Sequence, residues 1–309
     1  MCTNTRKENY KNTLSNKTAL NDFVRAAKAA APFEEKFHKE LAEFNRDEII
    51  EMMNSLEKTG VNSLKQHLNC IAQYQQFVGV ADYDVLNNPV MKEDIDLVSA
   101  IRKHFFPSFD AVLNEITKVR LLTEGYPEPP LLGLAWLGVE AKFAGQIKVE
   151  DVDLINGFLY CEGKYGREKV SIDSSVLKVF RMFRGLTVAY RNSGKDYEVT
   201  PEDSPYFVRG MRSKNSKKKP KPYATSDITR MMSDLKTEAA DNGKEIMDIT
   251  YGNVQRSGEL HRIYLLEKRG TDLNSSNGQW EACKLAHVSP NHVSELLYQY
   301  QEYKQAFNL

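Results

Sequence analysis

The chain of 309 residues carries 42 basic and 42 acidic side chains and no formal net charge, which argues against a protein that coats nucleic acid by bulk charge. Its 41% hydrophobic share suits a soluble globular protein, and its length suits two domains, each with its own core. Cys2, Cys70, Cys161 and Cys283 lie far apart with no C-x-x-C pair, so neither a zinc site nor a disulfide framework is expected, and with no apolar run of membrane length the protein is expected in the cytoplasm, without membrane contact.

From Leu20 to Val80 the pattern is helical, with Pro32 expected to end one helix and start another. In "GVNSLKQHLNCIAQYQQFVGV", Leu64, Leu68, Ile71 and Val78 repeat at helical spacing. Asn62, Lys65, Gln66, Asn69, Gln73 and Gln76 fill the other face, which is either solvated or suited to a DNA major groove. "VLNNPVM" closes this part at Pro89. The expected division is a helical domain 1–91, a linker 92–107 and a larger domain 108–309.

In the larger domain, "SFDAVLNEITKVRLL" places Val112, Leu113, Ile116 and Val119 on one face, with Ser108 or Asp110 as cap. "PPLLGLAWLGVEAKF" is apolar nearly all round and predicts a buried helix. "INGFLYCEGKYGREKVSID" alternates about "GKYG" and predicts a hairpin with Lys164, Arg167 and Lys169 near its tip. Helical patterns return in "SSVLKVFRMFRGLTVAY", in "SDITRMMSDLKTEAADNG" and from Tyr251 to the end. Between them "RGMRSKNSKKKPKP" carries Arg209, Arg212, Lys214, Lys217, Lys218, Lys219 and Lys221 without an acid, a run that is either a solvated loop or a phosphate contact. The fold class is therefore mainly α with a small antiparallel β-sheet.

The order of these elements, a helical module ending in "NNP", a bridge, a buried helix, "KVEDVD", a hairpin with a lysine at its turn, helices, "LAH" and a last helix with tyrosines, resembles the tyrosine recombinase, or phage integrase, superfamily. The resemblance implies a core-binding domain followed by a catalytic-type domain that together close around duplex DNA. The family's first arginine falls on Glu140 and the glutamate of that motif on Phe143; its hairpin lysine falls on Lys164. Its His-x-x-Arg falls on Gly252 and Gln255, with Arg256 one position later, and its Gly-His on Ala286 and His287. The nucleophilic tyrosine would lie at Leu296 or Leu297; Tyr298 and Tyr300 are nearest, and Tyr300 shares an apolar face with Leu296, Tyr303 and Phe307.

The chain therefore resembles phage repressors built on an integrase scaffold that has lost its catalytic residues. The implied activity is sequence-specific binding of double-stranded, operator-like DNA for transcriptional repression in a temperate phage or mobile element (lysogeny control), not an enzyme, and with neither cofactor nor metal. Asn62, Lys65, Gln66 and Asn69 would reach bases and phosphates. Lys164, Arg167, the run Arg212, Lys214, Lys217, Lys218, Lys219 and Lys221, and the helix positions Gln255, Arg256, Ser257 and Arg262 would hold the backbone, with His261 beside them. Two alternatives stand beside this. One is an active, divergent recombinase using Tyr298 or Tyr300, with Arg256 and either Arg120 or Arg184 as anchors. The other is an interaction protein that self-associates through the C-terminal helix. Phosphate-loop, dinucleotide, H-E-x-x-H and G-x-S-x-G motifs are absent, and the six histidines show no ligand spacing.

Overall fold

The computed structural model describes residues 3–163, 166–192, 196–213 and 220–309, and it divides into two units: residues 1–102 with 294–308, and residues 103–293. The first unit is helical, with α1 (Thr3–Thr13), α2 (Lys17–Phe37), α3 (Arg46–Ser55), α4 (Val61–Val78) and α5 (Leu97–His104), which runs to the boundary. Its core joins Tyr10, Phe23, Ile49, Met52, Leu64, Leu68, Ile71 and Tyr74, with the Phe23 ring 4.8 Å from Tyr10 and 4.9 Å from Tyr74. The helical spacing read for α4 is the observed one, except that Val78 is only half-buried. α4 ends at Gly79, whose φ of 72° suits a residue without a Cβ and whose N–H reaches the Gln75 carbonyl at 2.8 Å.

Pro32 does not divide the first predicted helix: α2 runs through it from Lys17 to Phe37. The proline removes one N–H from the ladder, and burial of Phe23, Ala26 and Ala30 along one face offsets that loss. The expected linker 92–107 contains α5, whose Leu97, Ala100 and Ile101 are buried along one side.

The C-terminal helix, Val293–Phe307, is held within the first unit from Ser294 onward. Gln299 Nε2 donates to the Thr59 carbonyl at 2.6 Å, Glu295 pairs with Lys65 at 3.1 Å, and Arg102 Nε caps the Ala306 carbonyl at 2.8 Å. Leu296, Tyr300 and Tyr303 are buried and Phe307 half-buried. The apolar stripe expected on this helix is thus packed within the first unit.

One polar side chain is central to the first unit. Gln75, 1% exposed, donates to the Phe44 carbonyl at 2.8 Å and the Leu41 carbonyl at 3.3 Å, and accepts from Tyr83 Oη at 2.8 Å. Gln75→Leu keeps the volume but strands the Phe44 carbonyl and takes the acceptor from the half-buried Tyr83 hydroxyl, while the Leu41 carbonyl keeps the Phe44 N–H. Since a buried unsatisfied group typically costs about 1–3 kcal/mol, a loss of about 3 kcal/mol is expected, read as a lower urea midpoint.

The second unit begins with α6 (Phe109–Thr117), capped by Ser108 Oγ, which accepts from the Ala111 N–H. α7 (Glu128–Trp136) is buried along its whole length, as its all-round apolar sequence requires. α8 (Ala141–Ala144) leads to a three-stranded antiparallel sheet of β1 (Val152–Asp153), β2 (Phe158–Gly163) and β3 (Gly166–Ser171). Gly163 pairs with Gly166, the register expected of a two-residue turn. α9 (Ser174–Gly185) stops at Gly185, where the sequence suggested helix as far as Tyr190. Ala189–Asn192 instead forms β4, paired with β5 (Asp196–Pro201) and then β6 (Met211–Ser213). α10 (Thr225–Asp241), α11 (Tyr251–Lys268) and α12 (Ser276–Leu285) complete the unit. The class is mainly α, as expected, with two small antiparallel sheets among the described residues where one was expected.

α11 lies close against α7. A Cβ on Gly258 would overlap the Trp136 carbonyl oxygen, so the glycine sets how near the two backbones come. Gly138, at φ 88°, ends α7 with its N–H 2.7 Å from the Ala135 carbonyl, and Val139 N–H reaches the Leu134 carbonyl at 3.0 Å.

Candidate nucleic-acid interface

In the first unit the polar face of α4 is exposed at Asn62, Lys65, Gln66, Asn69, Gln73 and Gln76. It is not wholly free. Lys65 is shared with Glu295, and the Gln66 amide donates to the Asp22 carboxylate. Beside it stand basic side chains that the sequence pattern did not single out. Burial and then the Arg25 charge lower the Lys58 pKa, while burial and then the Lys58 charge lower that of His67. Arg25, Lys58 and His67 come from α2, the segment before α4 and α4, so their proximity is a product of helix packing that periodicity cannot report. The lowered pKa of His67 favours its neutral ring, so Arg25 and Lys58 are the cations beside this face.

In the second unit the positions matched to catalytic arginines are occupied by committed side chains. Glu140 stands at the N-terminal boundary of α8 without a side-chain capping bond and pairs with Lys142 at 2.8 Å. Gly252 is exposed in the first turn of α11, after Thr250 Oγ1 has accepted the Asn253 N–H. Gln255 donates to Glu259 Oε1 at 3.1 Å and Arg256 to Glu259 Oε2 at 3.0 Å, so one buried carboxylate holds both.

Of two further residues expected to contact the DNA backbone, Ser257 is buried and Arg262 half-buried. Ser257 is fully buried; its hydroxyl donates to the Asn253 carbonyl at 2.6 Å and accepts from the Phe106 N–H at 3.0 Å. Arg262 donates to the Trp136 carbonyl and, at 3.1 Å, to the Leu285 carbonyl. It therefore caps the ends of α7 and α12, whose last carbonyls have no helical partner. His261 sits with its ring 5.3 Å from Trp136, its pKa lowered by burial.

Of the hairpin and loop positions, Arg167 is 61% exposed and paired with Asp151 at 2.7 Å, and Lys221 is exposed. Lys164, Lys214, Lys217, Lys218 and Lys219 lie outside the described residues; Arg212 belongs to β6, but its side chain is not described. Arg209, at the head of the basic run, turns inward and donates to the Arg184 and Leu186 carbonyls at 3.0 and 2.8 Å.

His287 takes the left-handed conformation, φ 50°, at the end of α12, where its N–H reaches the Lys284 carbonyl and that of Val288 the Cys283 carbonyl. Its Nδ1 is buried and has no hydrogen-bond partner among the described residues. The tyrosines lie in the other unit. Lys92 Nζ stands 3.2 Å over the Tyr298 ring, and burial followed by Glu302 raises the Tyr298 pKa. Tyr300 is fully buried. Both arginines considered as alternative anchors are used internally: Arg120 pairs with buried Glu128 and with Glu238, and Arg184 donates to the Phe207 carbonyl at 3.4 Å.

Residues 1–79 match the family described as MrpR, N-terminal core-binding domain. The match covers α1 to α4, the exposed polar face included. Among solved structures the chain is similar to XerA recombinase, at 14% identity over 99% of this chain and 97% of that one, with a TM-score of 0.41. It is also similar to a lambda integrase (75-356) dimer bound to a COC' core site, at 12% identity over 95% and 94%, TM-score 0.38. XerH site-specific recombinase bound to palindromic difH substrate gives 14% identity over 90% and 73%, TM-score 0.38. No match is found among curated proteins.

Proposed function

We propose that the protein is a sequence-specific duplex-DNA-binding protein on a tyrosine-recombinase scaffold, acting as a transcriptional repressor of a temperate phage or mobile element without cutting DNA. The observation that carries the reading is the contrast between the two units. A core-binding domain presents an exposed amide and amine face on α4 beside Arg25, Lys58 and His67, whereas the positions matched to catalytic arginines hold Glu140 and Gln255, tied to Lys142 and Glu259. Binding needs the first arrangement, and the second lacks the cations that cleavage needs.

The test is binding to fragments of the genome that encodes the protein, measured over a range of salt. Site-selective binding is expected, with log K falling linearly against log salt. Arg25→Ala should weaken binding to all sequences alike and reduce the salt slope by about one. Asn69→Ala should lose about 1–3 kcal/mol of discrimination at one base position and leave the slope unchanged. Uniform weak binding to every fragment, with both variants like the wild type, would remove α4 from the reading role.

A further inference from the structure

A cleft of about 250 Å³ opens in the first unit where α1, the turn after it, α2 and α4 meet. Tyr10, Leu14, Ala19 and Cys70 give it an apolar side, and Asn16, Thr18, Asp22, Gln66, Asn69 and Gln73 a polar one. Asp22 is the only formally charged residue of the lining. Its side chain is 16% exposed and accepts from the Gln66 amide, with the 74% exposed Arg25 at 4.0 Å. The Cys70 thiol is pushed up to about 11 by burial, so it stays protonated and adds no second negative charge. Asn16 uses its side-chain oxygen on the Thr18 N–H at 2.8 Å, which commits one lining acceptor to the helix cap.

We propose that this cleft binds a small primary amine, of the size of an amino acid or short diamine, with its ammonium on Asp22 and its chain along Tyr10 and Leu14. A largely covered carboxylate that accepts from a neutral amide and pairs only at 4.0 Å with a solvated arginine still gains from a closer cation, because that pair would be shielded from water. A neutral molecule of the same shape gains only hydrogen bonds that water already supplies. The volume is below the usual 300–1,000 Å³ of small-molecule sites, which restricts the ligand to a few heavy atoms.

Three lining residues, Gln66, Asn69 and Gln73, belong to the exposed face of α4. An amine in the cleft would engage amides that a major groove would otherwise take, so occupation and DNA binding oppose each other and the amine acts as a release signal. This coupling rests on α4 reading DNA; the binding of the amine does not.

Calorimetry on the full chain without DNA tests the site, using putrescine, ornithine and lysine against uncharged 1,4-butanediol. At least one amine should bind, with affinity reduced tenfold or more in Asp22→Asn and no heat from butanediol. Ala19→Leu, which fills the cleft and leaves Asp22 and the α4 face intact, should abolish amine binding while operator affinity is retained; it also guards against misfolding of the Asp22 variant. Binding by none of the amines, or equal binding by wild type and Ala19→Leu, overturns the site. Amine binding that depends on Asp22 but leaves DNA affinity unchanged overturns only the opposition between the two ligands.

Discussion

Gly258→Ala should destabilise the second unit by at least about 3 kcal/mol, although helix propensity alone favours alanine over glycine by about 1 kcal/mol. The two effects have opposite signs, and the contact decides between them. The new methyl would overlap the Trp136 carbonyl oxygen, a backbone atom of the wholly buried α7, and no rotamer change can move it aside. α7 and α11 would have to separate, loosening the packing between them. The same shift would disturb the bond from Arg262 to that carbonyl. Gly252, six residues earlier on the same helix, supplies the control: a Cβ there meets nothing within 4 Å, so Gly252→Ala should stabilise by about 0.5–1 kcal/mol. Urea unfolding of both variants followed by tryptophan fluorescence reads the pair, since Trp136 reports on the contact itself. A neutral or stabilised Gly258→Ala variant would show that α7 and α11 are not pressed together as described.

The division between what the sequence reveals and what it conceals follows the range of the interaction. The buried face of α4, the all-round burial of α7 and the hairpin register of β2 and β3 depend on residues a few positions apart, and their periodicity is in the chain. Arg262 and Ser257 read as surface groups because their residue types usually are. Ser257 lies inside and Arg262 is half-buried because the N–H of Phe106 and the carbonyl ends of α7 and α12 need partners, which only the packed unit reveals. Pro32 reads as a break because local rules count the missing N–H and not the tertiary burial on the same helix. The short strands β4 and β6 escaped notice because neither is longer than four residues, too short for an alternating pattern to register. At the candidate site, the residues at the motif positions, Glu140, Gly252 and Gln255, are legible from the sequence. That Glu259 holds both Gln255 and Arg256 is not, nor is the cluster of Arg25, Lys58 and His67.

Covalent protein–DNA adduct on a nicked duplex should form at least about 10,000-fold more slowly than with an intact recombinase. Attack by a tyrosine builds a five-coordinate phosphorane whose added negative charge needs preorganised cations, and removal of one such donor typically lowers the rate about 100- to 1,000-fold. Here Glu140 brings a carboxylate paired with Lys142, Gln255 brings a neutral amide, and Arg256 is bonded to Glu259; the losses need not multiply in full, which is why the lower combined figure is used. The nucleophile is unfavourable for a separate reason. Burial and Glu302 raise the Tyr298 pKa, so ionisation becomes harder where attack requires it to become easier. Tyr298 also lies one or two positions beyond Leu297 and Leu296, and each residue turns a helix by about 100 degrees, so it cannot replace a tyrosine at either place without a change of direction. Restoring charge alone, as Glu140→Arg with Gln255→Arg, is therefore expected to leave the adduct undetectable on a denaturing gel. The result that would sink this argument is an adduct with the wild-type protein that vanishes in Tyr298→Phe. It would mean that the phosphorane is balanced by cations other than those at the matched positions, and that the chain is an enzyme as well as a DNA-binding protein.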